Sequence, residues 1–309
     1  MTSVDPAHSP ARGVSLSSSP LESEALSPEA ILSRAGGENF PVVLRGLPIV
    51  LREDLLALYS YARLVDQVGD EAGGDRMEML EALSADLLRI RDSKPVNAIL
   101  RRLALVVRRH DLPLETLERL IEANRRDQDL RSVATWAELV DTCTRSANPV
   151  GELVLGIFDS RSDHTVELSD AVCTALQVVE HCQDVVEDFM QGRVYLPADD
   201  LARFGCELSD LSRAPTSAAL RRTIGLQVAR SRELLEQADP LLAQLRGWAL
   251  PLVAAYAAGG LATCDALERN AFDVASATIR PARRDFVRRW LGLLWRRMIW
   301  PRTGISVSP

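Results

Sequence analysis

Along this chain apolar residues recur at intervals of three and four, and Val and Ile never fall into the alternating pattern of a half-buried strand. The expected fold is therefore all-α. A long helix is predicted over residues 52–71, ended by Gly73-Gly74, with shorter helices over 76–92, 95–110 and 114–126. Trp136 opens another, and Pro149 should kink it, because proline removes a ladder bond and clashes with the preceding turn. A second long helix is predicted over 164–190, stopped by Gly192 and Pro197. Helices over 198–205, 216–237, 240–270 and 282–299 complete the pattern. Residues 1–37, rich in Ser and Pro and poor in apolar residues, read as a disordered leader. Residues 38–300 read as one helical domain, and 301–309 as a tail. No repeat and no internal linker divides the domain.

The composition agrees with that outline. With 309 residues, 47% of them hydrophobic, the chain can bury one large core or two small ones. No run of uncharged apolar residues reads as a membrane span, and the N-terminus lacks a secretory h-region. Five cysteines without a CxxC pair read as reduced thiols, and a cytoplasmic location is expected.

Charge adds a second feature. The net charge of −7 is uneven: residues 280–302 hold eight Arg and one Asp, which leaves an acidic body and a basic tail. Within that tail Phe286, Trp290, Leu293 and Leu294 share one helix face. A basic amphipathic helix over 280–300 is expected either to lie on a membrane surface, at the inner face of the cell membrane, or to pack on the body as a last core helix. The acidic body argues against nucleic acid as a partner.

Two polar stripes carry the candidate chemistry. Tyr59, Arg63, Asp66 and Asp70 are spaced four, three and four apart, which puts them on one face of the first long helix. Leu64, Val65 and Val68 flank them. On the second long helix Gln177, Glu180 or His181, Asp184 and Asp188 share a face, flanked by Val178, Val179, Val185 and Val186. Carboxylates one turn apart repel unless a cation sits between them. Mg²⁺ suits such pairs, since it binds through one or two carboxylates plus substrate phosphates. Arg63 would offer a forked donor to phosphate oxygens. Spacing alone leaves two readings open, a Mg²⁺–phosphate site or acidic solvent-facing helices. His181 borders the second stripe, and is either a substrate or water contact or a satisfied core histidine. The other histidines lack partners at metal-ligand spacing. No GxGxxG or P-loop is present.

The residues around the stripes add a resemblance. Tyr59-x-Tyr-Ala-Arg63-x-x-Asp66-x-x-x-Asp70-Glu71 and Gln177…Asp184-Val-Val-Glu-Asp188-x-x-x-Gly192-Arg193-Val-Tyr195-Leu196-Pro197 resemble the two signatures of the squalene/phytoene synthase family. Gly37-Glu-Asn39-Phe-Pro41, Ser146-Ala-Asn148-Pro149-Val-Gly151 and Leu196-Pro-Ala-Asp-Asp-Leu-Ala-Arg-Phe204-Gly205 resemble its bacterial hydroxysqualene-forming, hopanoid-pathway branch. The resemblance implies a single-domain isoprenoid-synthase bundle around a central apolar cavity. It implies that Asp66, Asp70, Asp184 and Asp188 bind Mg²⁺ and are catalytic. It also implies that Asn39, Tyr59, Arg63, Gln177 and Glu180 contact a prenyl diphosphate substrate.

This sequence departs from the family pattern at Gln67, where a second acid is common, and at Glu180, where asparagine is usual. Val133 and Thr142 stand where tyrosines are expected. The expected reaction is Mg²⁺-dependent conversion of presqualene diphosphate and water to hydroxysqualene and pyrophosphate, alongside other enzymes of the squalene pathway. The alternatives are head-to-head condensation of two prenyl diphosphates, or a non-catalytic assembly factor; retention of all four aspartates counts against the last.

Overall fold

The computed structural model describes residues 26–33, 41–70, 73–92 and 94–299. Fourteen α-helices run through them in the order α1 (Pro28–Ser33), α2 (Ile49–Asp70), α3 (Arg76–Leu88), α4 (Ala98–His110), α5 (Leu114–Asp127), α6 (Trp136–Ser146), α7 (Asn148–Ile157), α8 (Asp163–Gln183), α9 (Val185–Met190), α10 (Ala198–Arg203), α11 (Ala218–Leu235), α12 (Ala238–Gln244), α13 (Ala249–Arg269) and α14 (Arg283–Ile299). The expected all-α fold is what forms. No strand occurs among the described residues, only an isolated parallel bridge between Ser132 and Val194.

Side-chain caps mark several helix starts. Asp75, Asn97, Thr135, Ser162 and Ser217 each accept a hydrogen bond from a backbone N–H in the first turn, which satisfies donors the helix cannot satisfy itself.

The apolar faces gather into two adjoining cores. One joins α1–α5 and α7; the other is built mainly from α8, α11, α12 and α13, with α6 and α14 contributing. Tyr61 of α2 is fully buried in the first, and its hydroxyl donates to the Leu117 carbonyl of α5 at 2.9 Å. The seam between the two cores, where α2 and α5 approach α8 and α9, is where the polar stripes meet.

Four sequence expectations are corrected. The leader was expected to be disordered to residue 37, yet residues 26–33 are folded. Leu26 and Ile31 are buried against the first core, which explains why this short helix forms despite its polar neighbours. The helix expected over 164–190 is interrupted at Asp184, whose backbone (φ −101°, ψ 16°) caps α8 and starts α9. No glycine or proline marks that interruption. The helix expected over 240–270 is two helices, because Leu245 is extended and Gly247 adopts a left-handed φ of +54°. Pro251 then lies in the first turn of α13, where its missing N–H costs nothing.

The fourth correction concerns apolar runs. Residues 247–264 carry no charge, and α13 is long and apolar enough to cross a membrane by length and composition. Leu252, Ala254, Ala257 and Ala258 are completely buried, so here α13 is a core helix. The kink expected at Pro149 is present as the junction of α6 and α7, with proline in the first turn of α7.

In the tail, Phe286, Trp290, Leu293 and Leu294 pack on the second core, and the Trp290 indole N–H donates to the Pro251 carbonyl at 2.8 Å. The face read from the sequence as a membrane surface is therefore the packed one. Trp300 and residues 301–309 lie outside the described residues.

Candidate active site

Tyr59, Arg63, Asp66 and Asp70 of α2, and Gln177, Glu180, His181, Asp184 and Asp188 of α8 and α9, line a single cavity of about 930 Å³. Helical periodicity accounts for both groups. Leu64, Val65 and Val68 are fully buried behind the α2 stripe, and Val178 and Val185 are buried behind the other, while Val179 is buried beside it in the cavity wall. The burial of the flanks turns the stripes toward each other. Of the nine predicted site residues only Asn39 is not placed, because it lies outside the described residues. Farther along the cavity the walls are apolar, with Leu55, Leu58, Val150, Val154, Leu176 and Val253 among them.

The polar end holds more acid than its local cations balance. Burial, reinforced by the nearby Asp188 and Glu187 charges, pushes the Asp184 carboxyl up to about 6. Asp188 Oδ2 lies 3.5 Å from His181 Nδ1, and Arg193 Nη1 donates to Asp70 Oδ1 at 2.6 Å. Arg63 Nε and Arg193 Nε are buried without a hydrogen-bond partner. Among the described residues no three His, Cys, Asp or Glu side chains are gathered so as to hold a metal by themselves. The carboxylates are thus arranged as separate pairs, with buried guanidinium donors beside them.

Helix α5 supplies a third wall that the sequence reading missed. Asn124 Nδ2 donates to Asp66 Oδ1 at 3.4 Å and to the Leu120 carbonyl at 3.2 Å. Gln128 Nε2 donates to the Gly69 carbonyl at 2.9 Å. This approach depends on Gly69, since a β-carbon there would stand 2.1 Å from Asn124 Oδ1. Asp127, one turn on, accepts from the Tyr195 hydroxyl at 3.3 Å, and burial raises its pKa.

Tyr195 in turn stacks on His181, with ring centroids 3.9 Å apart, and His181 Nε2 lies 3.4 Å from Gln177 Nε2. His181 is therefore both held by the protein and part of the cavity wall. Arg193 and Tyr195 are set in place by the Ser132–Val194 bridge, in which the Val194 N–H donates to the Arg131 carbonyl at 2.9 Å. Both residues sit in the second signature, but their contacts with Asp70 and Asp127 cross more than sixty residues of sequence. On α5, a polar face at 124, 127 and 128 was the available signal.

The departures from the family pattern fall in instructive places. Gln67 is buried and is not part of the cavity wall, so the absence of an acid there removes no carboxylate from the cavity. Glu180 lines the cavity and adds a carboxylate to it. Val133 and Thr142, where tyrosines were expected, both line the cavity and make that wall less aromatic.

Residues 33–290 match the family model for squalene/phytoene synthase. The chain belongs to that family. A hydroxysqualene synthase from Zymomonas mobilis is 34% identical over 220 residues, 69% of this chain and 73% of that protein. A phytoene synthase from Mycobacterium bovis is 34% identical over 179 residues, 57% of this chain and 59% of that protein. Among solved structures, a squalene synthase, HpnC, from Alicyclobacillus acidocaldarius aligns with a TM-score of 0.72 at 40% identity, covering 78% of this chain and 92% of that one. This squalene/phytoene synthase family member is accordingly an enzyme of the prenyltransferase type, which disposes of the assembly-factor alternative.

Proposed function

We propose that this enzyme ionises presqualene diphosphate with the help of Mg²⁺ and lets water capture the rearranged cation, releasing hydroxysqualene and pyrophosphate. The observation that carries the reading is the division of one cavity into a carboxylate-rich end and apolar walls. The donor set at the polar end fits a hard divalent cation shared with phosphate: oxygen ligands only, in pairs, one of them on a carboxyl pushed up to about 6 by burial and by its acidic neighbours. Asp66, Asp70, Asp184 and Asp188 would hold the metal. When bound, Mg²⁺ supplies positive charge that offsets the charge growing on the departing diphosphate.

The chain's own groups do the rest. Arg63 and Arg193 present buried donors to diphosphate oxygens, and their stabilisation grows as the C–O bond breaks. Tyr59, Gln177 and Glu180 orient the head group and its metals. Asn124 and the His181–Tyr195–Asp127 chain hold the carboxylate walls in register. The apolar walls exclude bulk water while the cyclopropylcarbinyl cation rearranges. Water then adds to carbon, and its second proton is lost to solvent, so that presqualene diphosphate and water balance hydroxysqualene, pyrophosphate and a proton. Relatives named hydroxysqualene synthase support this product.

A second reading, head-to-head condensation of two prenyl diphosphates, is favoured by the phytoene synthase relative. The two separate on pyrophosphate release from presqualene diphosphate and from farnesyl diphosphate, each with and without Mg²⁺. Release from presqualene diphosphate alone supports hydroxysqualene formation. Release from farnesyl diphosphate alone supports condensation.

A further inference from the structure

Helix α14 carries two apolar faces, and only one is used. Phe286, Trp290, Leu293 and Leu294 face the core. Val287, Leu291, Trp295, Met298 and Ile299 recur at spacings of four, four, three and one, a neighbouring stripe of the same helix. Leu291 is 55% exposed, Trp295 62%, Met298 77% and Ile299 55%. Nothing in the packing of the described residues covers them. Isolated exposed apolar side chains are ordinary, but a continuous stripe containing tryptophan marks a contact surface.

The stripe does not stand alone. The Arg297 guanidinium donates to the Leu242 and Ala243 carbonyls at the end of α12, and Trp290 donates to the Pro251 carbonyl at the start of α13. The C-terminal half of α14 therefore lies against the turn between α12 and α13, which carries Trp248. Trp248 also meets the start of α2, since a β-carbon on Gly46 would lie 3.6 Å from its ring. Three residues beyond Gly46, Ile49 is 70% exposed. Three elements thus bring exposed apolar side chains to one end of the molecule.

Charge identifies what this end fits. Arg45, Arg52 and Arg246 are exposed there, and Arg45 and Arg246 have no acidic partner among the described residues. Beside the stripe, Arg284 and Arg288 are ion-paired with Asp285 and Asp265 yet keep side chains 83% and 69% accessible, so the unpaired cations of this face, among the described residues, are those at its Trp248 end. Apolar groups rimmed by cations, on a protein of net charge −7, are complementary to a surface that is apolar below and anionic above. On their inner side the same elements present Leu241 and Val253 to the cavity. The aspartates lie at the far end: from Ile49 to Asp66 the helix rises by about 25 Å.

From this arrangement we infer that the enzyme rests on an anionic lipid bilayer through α14's outward stripe, Trp248 and the start of α2, with the apolar end of its cavity toward the lipid. This contact does not depend on which prenyl product forms.

The test is co-sedimentation of the full chain with vesicles of phosphatidylglycerol and phosphatidylcholine in equal parts, and with phosphatidylcholine alone. Leu291→Ser/Trp295→Ser/Met298→Ser changes exposed residues only, so its melting temperature and its turnover of detergent-solubilised substrate should stay at wild-type values. Its partition onto anionic vesicles should fall at least about tenfold. Arg45→Gln/Arg246→Gln should weaken binding about tenfold at low salt, and binding of the intact protein should decline as salt screens the charges. Intact protein left in the supernatant at low salt, or a stripe variant that pellets like wild type, would overturn the inference. So would a dimer in solution that the stripe substitutions dissociate, because the face would then belong to a second copy.

Discussion

Arg193 Nη1 donates to Asp70 Oδ1 at 2.6 Å, placing a cation from the loop after α9 on the last aspartate of α2. The two aspartate helices are therefore joined by charge across the mouth of the cavity. With Nε of the same guanidinium buried and unpartnered, Arg193 has donor capacity left for a phosphate oxygen. Replacing it with lysine keeps the charge but loses the planar fork. Arg193→Lys should lower kcat for pyrophosphate release by about tenfold or more, equal to ~1.4 kcal/mol of transition-state stabilisation. An unchanged kcat would reduce Arg193 to a structural tie.

Asp184 should show opposite effects on stability and turnover. Its folded-state pKa lies above that of an unfolded aspartate, so the ionised form is disfavoured by folding. For this group stability is greatest at low pH and is lost as pH rises from about 4 through about 6. Asp184→Asn removes that penalty. The metal-free variant should melt at a higher temperature than wild type at pH 7.5, and the difference should shrink toward pH 4. Turnover should fall at least about a hundredfold, ~3 kcal/mol, because a ligand charge is gone. Near-normal turnover would show that the second stripe is structural.

Gly69 tests the third wall. Gly69→Ala forces a β-carbon against Asn124, whose own β-carbon would be only 3.1 Å away, so α5 has to shift. The expected cost is about 1–3 kcal/mol in chemical denaturation, with reduced activity because Asn124 leaves Asp66. A variant as stable and as active as wild type would mean that α5 does not position the aspartate.

The parts of this site that the sequence showed are those set by local periodicity. Tyr59, Arg63, Asp66 and Asp70 share a face because of helix geometry alone, and their apolar flanks say which way that face turns. What the sequence hid is set by tertiary approach. Asn124 and Asp127 reach the site only because Gly69 lets two helices close in. The interruption at Asp184 has no proline or glycine to announce it. Gly247 and Pro251 did mark the end of α12 and the start of α13, but the apolar run across them masked the break. On α14 two neighbouring faces are both apolar, and periodicity cannot choose between them; the body, by offering a complementary surface to Trp290 and Leu293, does.

That choice has a stability signature. Trp290 packs on the second core and its indole N–H is satisfied by the Pro251 carbonyl. Trp290→Ala should lower stability by about 2–4 kcal/mol, whereas Trp295→Ser on the exposed stripe should change it by less than about 0.5 kcal/mol. Equal effects in thermal melts would contradict the packing of α14 described above.

The central claim is that the cavity carries presqualene diphosphate through ionisation to capture by water. Its most direct measurement is mass spectrometry of the lipid formed from presqualene diphosphate and Mg²⁺ in oxygen-18-labelled water, without any reductant. The account predicts hydroxysqualene carrying one labelled oxygen, formed together with pyrophosphate and abolished by chelation of the metal. A hydrocarbon product, an unlabelled alcohol, or no consumption of presqualene diphosphate would contradict it.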